Sequence, residues 1–475
     1  MRVGGEIMKR HNALKVVLCT LAVFLLLTWI LPTAYFQTSY VTQGRIQMGL
    51  FDIVNYPMTA LQYFGYVPVY VLIVGGFYGV LNCISAYRIL LDKLANKFKS
   101  HSMIAISIIM ILFAVITSIC GLNYGLLLFF PFVISLVFLM GYDKIVAIFT
   151  TVGSVCVGLM GTTLAYNNTG VLASVLSLDV YDGIVTKIII LVLGLILLIF
   201  NTMMYIKKMP KKSSDNELLN YVPEQVKAKD SKNVKVWPLV LVLDVLLLIM
   251  ILAFISWSGV FKLDIFDTAT SAVTGFKIGG FTLFGKLLGT VNSFGNWSLT
   301  ELNLCILMAT ILLALIYKIK FNDLLQKFIK GGKEALQPAV ILLLIYTGLV
   351  IVTYHPFQLV IYKSIIELTK GFNAFTASLV AMLASIFNAD PMYTFNSAVP
   401  YLVSIVKDKN VYTIIWVIFQ SIYGFVMLLA PTSVVLMATL AYLNVSFKEW
   451  FKNIWKLALE ILVILLILFT ILVLI

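Results

Sequence analysis

Ten stretches of this chain are apolar for long enough to cross a lipid bilayer, and that fixes the solvent in which it folds. They cover residues 13–31, 66–86, 103–120, 125–140, 186–204, 236–255, 302–316, 338–352, 412–429 and 457–475. A helix rises 1.5 Å per residue, so about 20 apolar residues match a hydrocarbon layer about 30 Å thick. Of the 475 residues, 61% are hydrophobic and 12% charged, and the mean hydropathy is +1.02. No water-soluble core with a solvated skin has that balance. With the shorter and polar-interrupted runs added, the expected fold is an all-α polytopic membrane protein of about 11 transmembrane helices plus two re-entrant or broken hairpin regions, in two related halves. The first span lacks a small-residue cleavage site and reads as a retained helix.

Two apolar stretches are interrupted in a way that a bilayer punishes. Residues 146–184 carry Gly161, Thr162, Thr163, Asn167, Asn168, Thr169 and Gly170 in their middle, and residues 384–401 carry Asn388, Asp390, Pro391, Asn396 and Ser397. Unpaired backbone at membrane depth survives only inside protein or against a wet cavity. Broken segments of this kind hold cargo in secondary transporters. Hydropathy alone leaves a second reading of the first stretch open, as an extramembrane loop between two ordinary helices.

Other chemistry is poorly represented. The five cysteines stand singly in apolar runs, the three histidines never pair at ligand spacing, and no phosphate-binding glycine loop or catalytic triad pattern occurs. The sequence therefore points away from an enzyme, a resident metal or cofactor, and ATP as driving force. A membrane-embedded glycan or lipid-linked sugar polymerase or transferase is the rival from another class, and a degenerate non-transporting relative is a third.

Basic residues set the expected topology, because positively charged loops are retained in the cytoplasm. Arg2, Lys9, Arg10 and Lys15, then Arg88 to Lys99, the linker at 207–236, Lys318 to Lys333 and Lys448 to Lys456 supply most of the net charge of +13. These regions are expected inside a cytoplasmic (inner) membrane, with the N-terminus cytoplasmic. Charge spread over membrane loops fits lipid headgroups and gives no support to nucleic acid as a partner. The linker divides the chain into an N-terminal membrane half at 1–206 and a C-terminal membrane half at 237–475. Both halves carry an amphipathic basic segment, 88–101 and 321–334, which are expected to correspond.

Candidate site residues follow from the breaks. Thr162, Thr163, Asn167, Asn168 and Thr169 in the first, with Asn388, Asp390, Asn396 and Ser397 in the second, offer neutral donors and one carboxylate to a small carboxylate or amino-acid cargo. Tyr166 and Tyr393 are candidate pocket walls. For ion coupling the candidates are Asp390, Asp244, Thr432 and Ser433, with Na⁺ or H⁺ as the ion. Each has a plain alternative: Asp390 a solvated turn, Asp244 a headgroup-zone residue paired with Lys235, and Thr432 and Ser433 repair of a helix kink. His355 reads as a structural interface residue.

The run at 427–456, with Pro431-Thr432-Ser433, then Leu440, then residues 445–450 ending in Trp450, resembles the closing signature of the anaerobic C4-dicarboxylate carrier family, within the ion transporter superfamily. Leu31-Pro32, Gly75-Gly76-Phe77-Tyr78-Gly79, Gly141-Tyr142-Asp143 and residues 321–336 extend the likeness over most of the chain. It departs at Asn167-Asn168-Thr169, where relatives carry an Asn-Pro-Phe-like element. It departs again at Asn388-Ala389-Asp390-Pro391, where they carry a serine-rich tip, and at Ser421-Ile422-Tyr423-Gly424. The resemblance implies a carboxylate or amino-acid transporter with two hairpins meeting at the membrane midplane. The expected function is secondary active transport, by symport or exchange, of a small organic anion, dicarboxylate or amino acid by alternating access; the lipid bilayer is the medium, and a homodimer is among the expected assemblies.

Overall fold

The computed structural model describes residues 12–209, 218–224, 234–406 and 408–474. Residues 1–11, 210–217 and 225–233, which include Arg2, Lys9 and Arg10 and most of the basic linker, lie outside the described residues.

The chain opens with α1 (Asn12–Ile30), a two-stranded hairpin of β1 (Ala34–Phe36) and β2 (Tyr40–Thr42), and α2 (Leu50–Phe64). Helix α3 (Tyr66–Leu81) leaves α2 at 70°, because Pro68 has no N–H to donate across Gly65 to the preceding turn. Then come α4 (Ser85–Phe98), α5 (Ser102–Cys120), α6 (Phe130–Leu139), α7 (Lys144–Met160, with a π-helical turn at Phe149–Gly153), α8 (Tyr166–Leu176) and α9 (Ile184–Lys208).

Helix α10 (Trp237–Phe254) leads into a segment with α11 (Trp257–Phe261), α12 (Ile265–Gly275), the β3–β4 hairpin (Lys277–Ile278, Phe281–Thr282) and α13 (Leu283–Leu288). The remainder is α14 (Leu299–Ile316), α15 (Phe321–Glu334), α16 (Leu336–Tyr354), α17 (Gln358–Leu368), α18 (Ala374–Phe387), α19 (Pro391–Ile405), α20 (Tyr412–Met427), α21 (Val434–Leu443) and α22 (Phe447–Leu474).

The last nine helices repeat the packing of the first nine. Helix α1 lies on α16 as α14 lies on α3; α2 lies on α16 as α15 lies on α3. Likewise α5 and α9 pack on α7 as α18 and α22 pack on α20, and α7 meets α20 where the two sets join. The amphipathic counterpart of α15 is thus α2, and that of α4 is α17. The sequence pairing of 88–101 with 321–334 joined the wrong partners. Crossing α10 between the sets starts the second from the opposite face, so both basic amphipathic segments fall on one face without contradiction.

Helices α3 and α15 cross at backbone contact. A Cβ on Gly331 would fall 2.1 Å from Gly75 O and 2.8 Å from Gly79 Cα, the small-residue crossing by which membrane helices gain packing without a hydrophobic driving force.

Among the described residues, eight helices are long and apolar enough to cross a membrane, or nine counting the bent α2–α3 pair. The expected count of about 11 is corrected chiefly at 103–120 and 125–140, which are not two spans. They are arms of one hairpin: Phe113 and Phe130 stack at 6.0 Å near its tip, and Ser102 Oγ and Tyr142 OH meet at 2.7 Å at its base.

Candidate functional site

The interrupted stretch at 146–184 does not turn back on itself. Helix α9 runs antiparallel to α7, with Leu198 beside Gly153, Val157 beside Gly194 and Leu191 against Gly161. Its start at Ile184 lies seven residues, about 10 Å, beyond that level, and α8 carries the chain there. Residues 161–165 are therefore a break in a spanning helix. The break at 428–433, between α20 and α21, is its counterpart.

Each break is tied to a hairpin tip. In the first set the tip is Gly121-Leu122-Asn123-Tyr124, where Gly121 ends α5 at φ +71, a left-handed conformation that glycine adopts without a Cβ clash. The amides of Thr163 and Leu164 donate to Ser118 O (2.9 and 3.3 Å), and Ser118 Oγ donates to Gly161 O (2.7 Å). The buried Thr163 hydroxyl completes the knot, 3.0 Å from Ser118 Oγ.

In the second set the tip is Asn388-Ala389-Asp390 between α18 and α19. Thr432 Oγ1 donates to Ile386 O (2.9 Å), and Tyr423 OH to Ala389 O (3.1 Å). Ser433 caps α21 through Leu436 N. The tips themselves touch, since Tyr124 OH donates to Ala389 O at 3.2 Å. Gln420 Nε2 donates to Thr162 O (2.7 Å) and Ser421 Oγ to Met160 O (3.0 Å), fastening α20 to the first break.

Of the residues singled out in the sequence, Thr162, Thr163 and Thr169 are buried, and Thr162 and Thr169 bond their own helical turns. Asn168 stands against the first tip, its Nδ2 within 3.2 Å of where a Gly121 Cβ would lie, buried and without a hydrogen-bond partner. Asn167 is exposed and donates to Phe254 O. Asn388 is buried, with Nδ2 donating to Gln358 Oε1 (3.1 Å) and Ala384 O (2.9 Å).

Asp390 caps α19 through Met392 N (2.9 Å) and has no ion-pair partner among the described residues. Asn396 and Ser397 lie further along α19 and line a 140 Å³ cavity under β1, and Ser397 Oγ also accepts from Asn388 Nδ2 at 3.4 Å. Asp244 is exposed on α10 and makes no bond to either tip. Tyr166 is exposed, and Tyr393 meets Phe64 edge-on. His355 is buried and structural, its Nε2 2.7 Å from Tyr56 OH and its Nδ1 2.6 Å from Ile46 O.

Sequence reasoning missed the first tip, and it missed Lys187. That lysine is fully buried, donates to Val180 O (3.1 Å) and lies 4.0 Å over the ring of Trp416. The Trp416 indole N–H in turn donates to Gln420 Oε1 (3.0 Å), which orients the amide that holds Thr162 O. A basic residue just inside an apolar span looks like an interface anchor, so no local signal marked it.

The junction is thus lined by hydroxyls, amides and broken-helix backbone with one carboxylate. Such groups suit a carboxylate or a monovalent cation better than a divalent metal. Among the described residues no cluster of three metal-ligating side chains occurs.

The model of the DcuC family, C4-dicarboxylate anaerobic carrier, matches residues 11–474. No curated protein matches the chain. The fold aligns with the Alcanivorax borkumensis YdaH transporter at a TM-score of 0.43 and 12% identity, over 97% of this chain and 98% of that one. It aligns also with Neisseria gonorrhoeae MtrF, of a class of antimetabolite efflux pumps, at 0.43 and 11% identity, over 97% and 94%.

Proposed function

Because the chain belongs to the C4-dicarboxylate anaerobic carrier family and is a multi-pass membrane transporter, we propose that it moves a small organic anion by secondary active transport. The basic rims face the cytoplasm in this reading, as the positive-inside rule requires. The observation that carries it is the contact of the two hairpin tips, Tyr124 OH to Ala389 O, between two broken helices. Cargo binds there against the broken-helix backbone and the side chains of Asn168 and Asn388, and access alternates as the bundle of hairpins and broken helices moves against α1–α3 and α14–α16. Asp390 is the group at which Na⁺ or H⁺ is exchanged, with Thr432 and Ser433 as neighbouring oxygen ligands. A second cargo class, an amino acid, is favoured by Asp390 alone, since an unpaired carboxylate at the tip offers a partner to an ammonium group.

Proteoliposomes containing the protein should accumulate labelled succinate or an amino acid in counterflow, from a panel run with and without Na⁺ and a pH gradient. Asn168→Ala and Asp390→Ala should each lower uptake at least about tenfold, equivalent to about 1.4 kcal/mol, at unchanged folded yield. Undiminished uptake by both variants would falsify the placement of the site.

A further inference from the structure

Between α10 and α14 the chain presents apolar surface that the rest of the protein does not cover. From Phe261 to Val291 no residue is buried, although Ile265, Phe276, Ile278, Phe281, Leu287 and Leu288 are all large, apolar and exposed. Apolar surface on that scale marks a contact with something outside the chain.

The segment is held at one level of the fold. Helices α10 and α14 pack together, and their ends on the basic side are joined by Tyr317 OH donating to Lys235 O (2.8 Å). Gly295 N donating to Ala253 O (2.8 Å) joins the other ends. The chain therefore leaves and returns on the face opposite the basic rims, where Asn167 Nδ2 to Phe254 O (3.3 Å) and Tyr181 OH to Val260 O (3.2 Å) pin its root. A row of rings runs on from that root: Trp257 to Phe266 (5.1 Å), Phe266 to Phe294 (5.5 Å) and Phe294 to Trp297 (4.9 Å). Tryptophan at the end of a span belongs to the membrane interface.

Inside the segment, α12 and residues 288–297 enclose a cleft of about 300 Å³. Phe266, Ala269 and Val273, at i, i+3 and i+7 of α12, form one wall, and Leu288, Val291 and Phe294 face it. No charged side chain lines the cleft. Thr274 Oγ1 donates to Thr270 O (2.7 Å) and Asn292 Nδ2 to Glu301 Oε1 (2.8 Å), so these polar groups of its wall are already engaged. An apolar cavity of about 150 Å³ stays dry and accepts benzene, and one about twice that size suits hydrocarbon better than water.

We propose that this cleft is a binding site for one acyl chain of a membrane lipid, and that residues 257–297 lie in the interfacial layer of the leaflet opposite the basic rims. Continuity argues for lipid as the occupant, since the cleft adjoins the lipid-facing surface of α14 at Leu304, Met308 and Ile311. Charge argues the same way. Lys277 and Lys286 are exposed on either side of the β3–β4 hairpin, and their stems let the ammonium groups reach headgroup phosphates while the apolar residues beside them stay in hydrocarbon. The inference rests on the membrane-spanning fold and on no particular cargo.

The test uses full-length protein in nanodiscs of phosphatidylcholine doped with one of two photoreactive lipids, carrying a diazirine either on an acyl chain or on the headgroup. After illumination, labelled tryptic peptides are quantified by mass spectrometry, with peptide 263–277 reporting the α12 wall. Even two methylenes seated in the cleft are worth about tenfold in occupancy, so the acyl probe should exceed the headgroup probe at 263–277 by about that factor. Ala269→Trp fills the cleft and should remove most of the acyl labelling there, while the α22 peptide that begins at Leu457, exposed to lipid along its length, is labelled as in wild type. Equal labelling of wild-type 263–277 by the two lipids overturns the proposal, as does acyl labelling that a folded Ala269→Trp leaves unchanged. Exclusion of both probes from 263–277 also overturns it, and is the result expected if a second copy of the chain covers this face. The wild-type comparison decides the matter where the variant does not fold.

Discussion

Gly424 holds α20 at backbone contact with α7, and replacing it by alanine should loosen the site before it unfolds the protein. The new Cβ would lie 2.2 Å from Met160 N and 2.7 Å from both Leu159 C and Met160 Cα. All three are backbone atoms, so no change of rotamer relieves the overlap, and α20 must move off α7 by roughly 1 Å to recover ordinary contact. Overpacking of this kind costs about 1–3 kcal/mol. The same shift falls on Gln420 and Ser421, a turn or less away, whose bonds to Thr162 O and Met160 O are 2.7 and 3.0 Å. An added ångström takes both beyond hydrogen-bond length, and each buried carbonyl left without its donor costs about 1–3 kcal/mol. The total is on the order of 3–5 kcal/mol if the terms partly overlap. Thermal unfolding of the detergent-solubilised protein, read by fluorescence after size exclusion, should show Gly424→Ala melting several degrees below wild type, with uptake reduced in what remains folded. Gly275→Ala is the control, since nothing lies within 4 Å of its Cβ position. If the two variants melt together and transport alike, α7 and α20 do not cross as described.

Three further outcomes follow from the same contacts. Tyr124→Phe removes the hydroxyl that bridges the tips and should lower the uptake rate while shifting stability by only about 0.5–1.5 kcal/mol; unaltered kinetics would remove the tip contact from the mechanism. Lys187→Met, which deletes a buried ammonium at similar volume, should be no less stable than wild type. Trp416→Leu strands that ammonium without its ring and should cost more than about 2 kcal/mol; melting temperatures in the opposite order would refute the account of the pair.

What the sequence disclosed, and what it hid, separates along one physical line: hydropathy reports depth and is blind to direction. The second hairpin was legible because Asn388-Ala389-Asp390-Pro391 is polar enough to interrupt its run, and Pro391 marks the start of the returning helix. The first hairpin has arms as apolar as any span and a tip of four residues, of which Leu122 and Tyr124 read as membrane residues. Nothing local distinguishes its return from a second crossing.

The break at 161–165 was visible for the opposite reason, as hydroxyls and glycine in an apolar run, yet its partner was not. That partner is Ser118 at the end of another helix, and the bonds joining them use backbone atoms that every residue possesses. Lys187 and Gln420 share the difficulty, since what defines each is a partner on a distant helix or break, Trp416 for the lysine and Thr162 O for the amide. The residue types at the breaks can therefore be read from one chain, but the pairing of tip to break is set by how the two sets of nine helices cross. That crossing is written in glycines at 75, 79, 331 and 424, whose meaning appears only when the facing backbone is present. A variant that restores a Cβ at the crossing tests the site more directly than one that deletes a polar side chain from it. It moves tip against break and leaves every candidate ligand chemically intact.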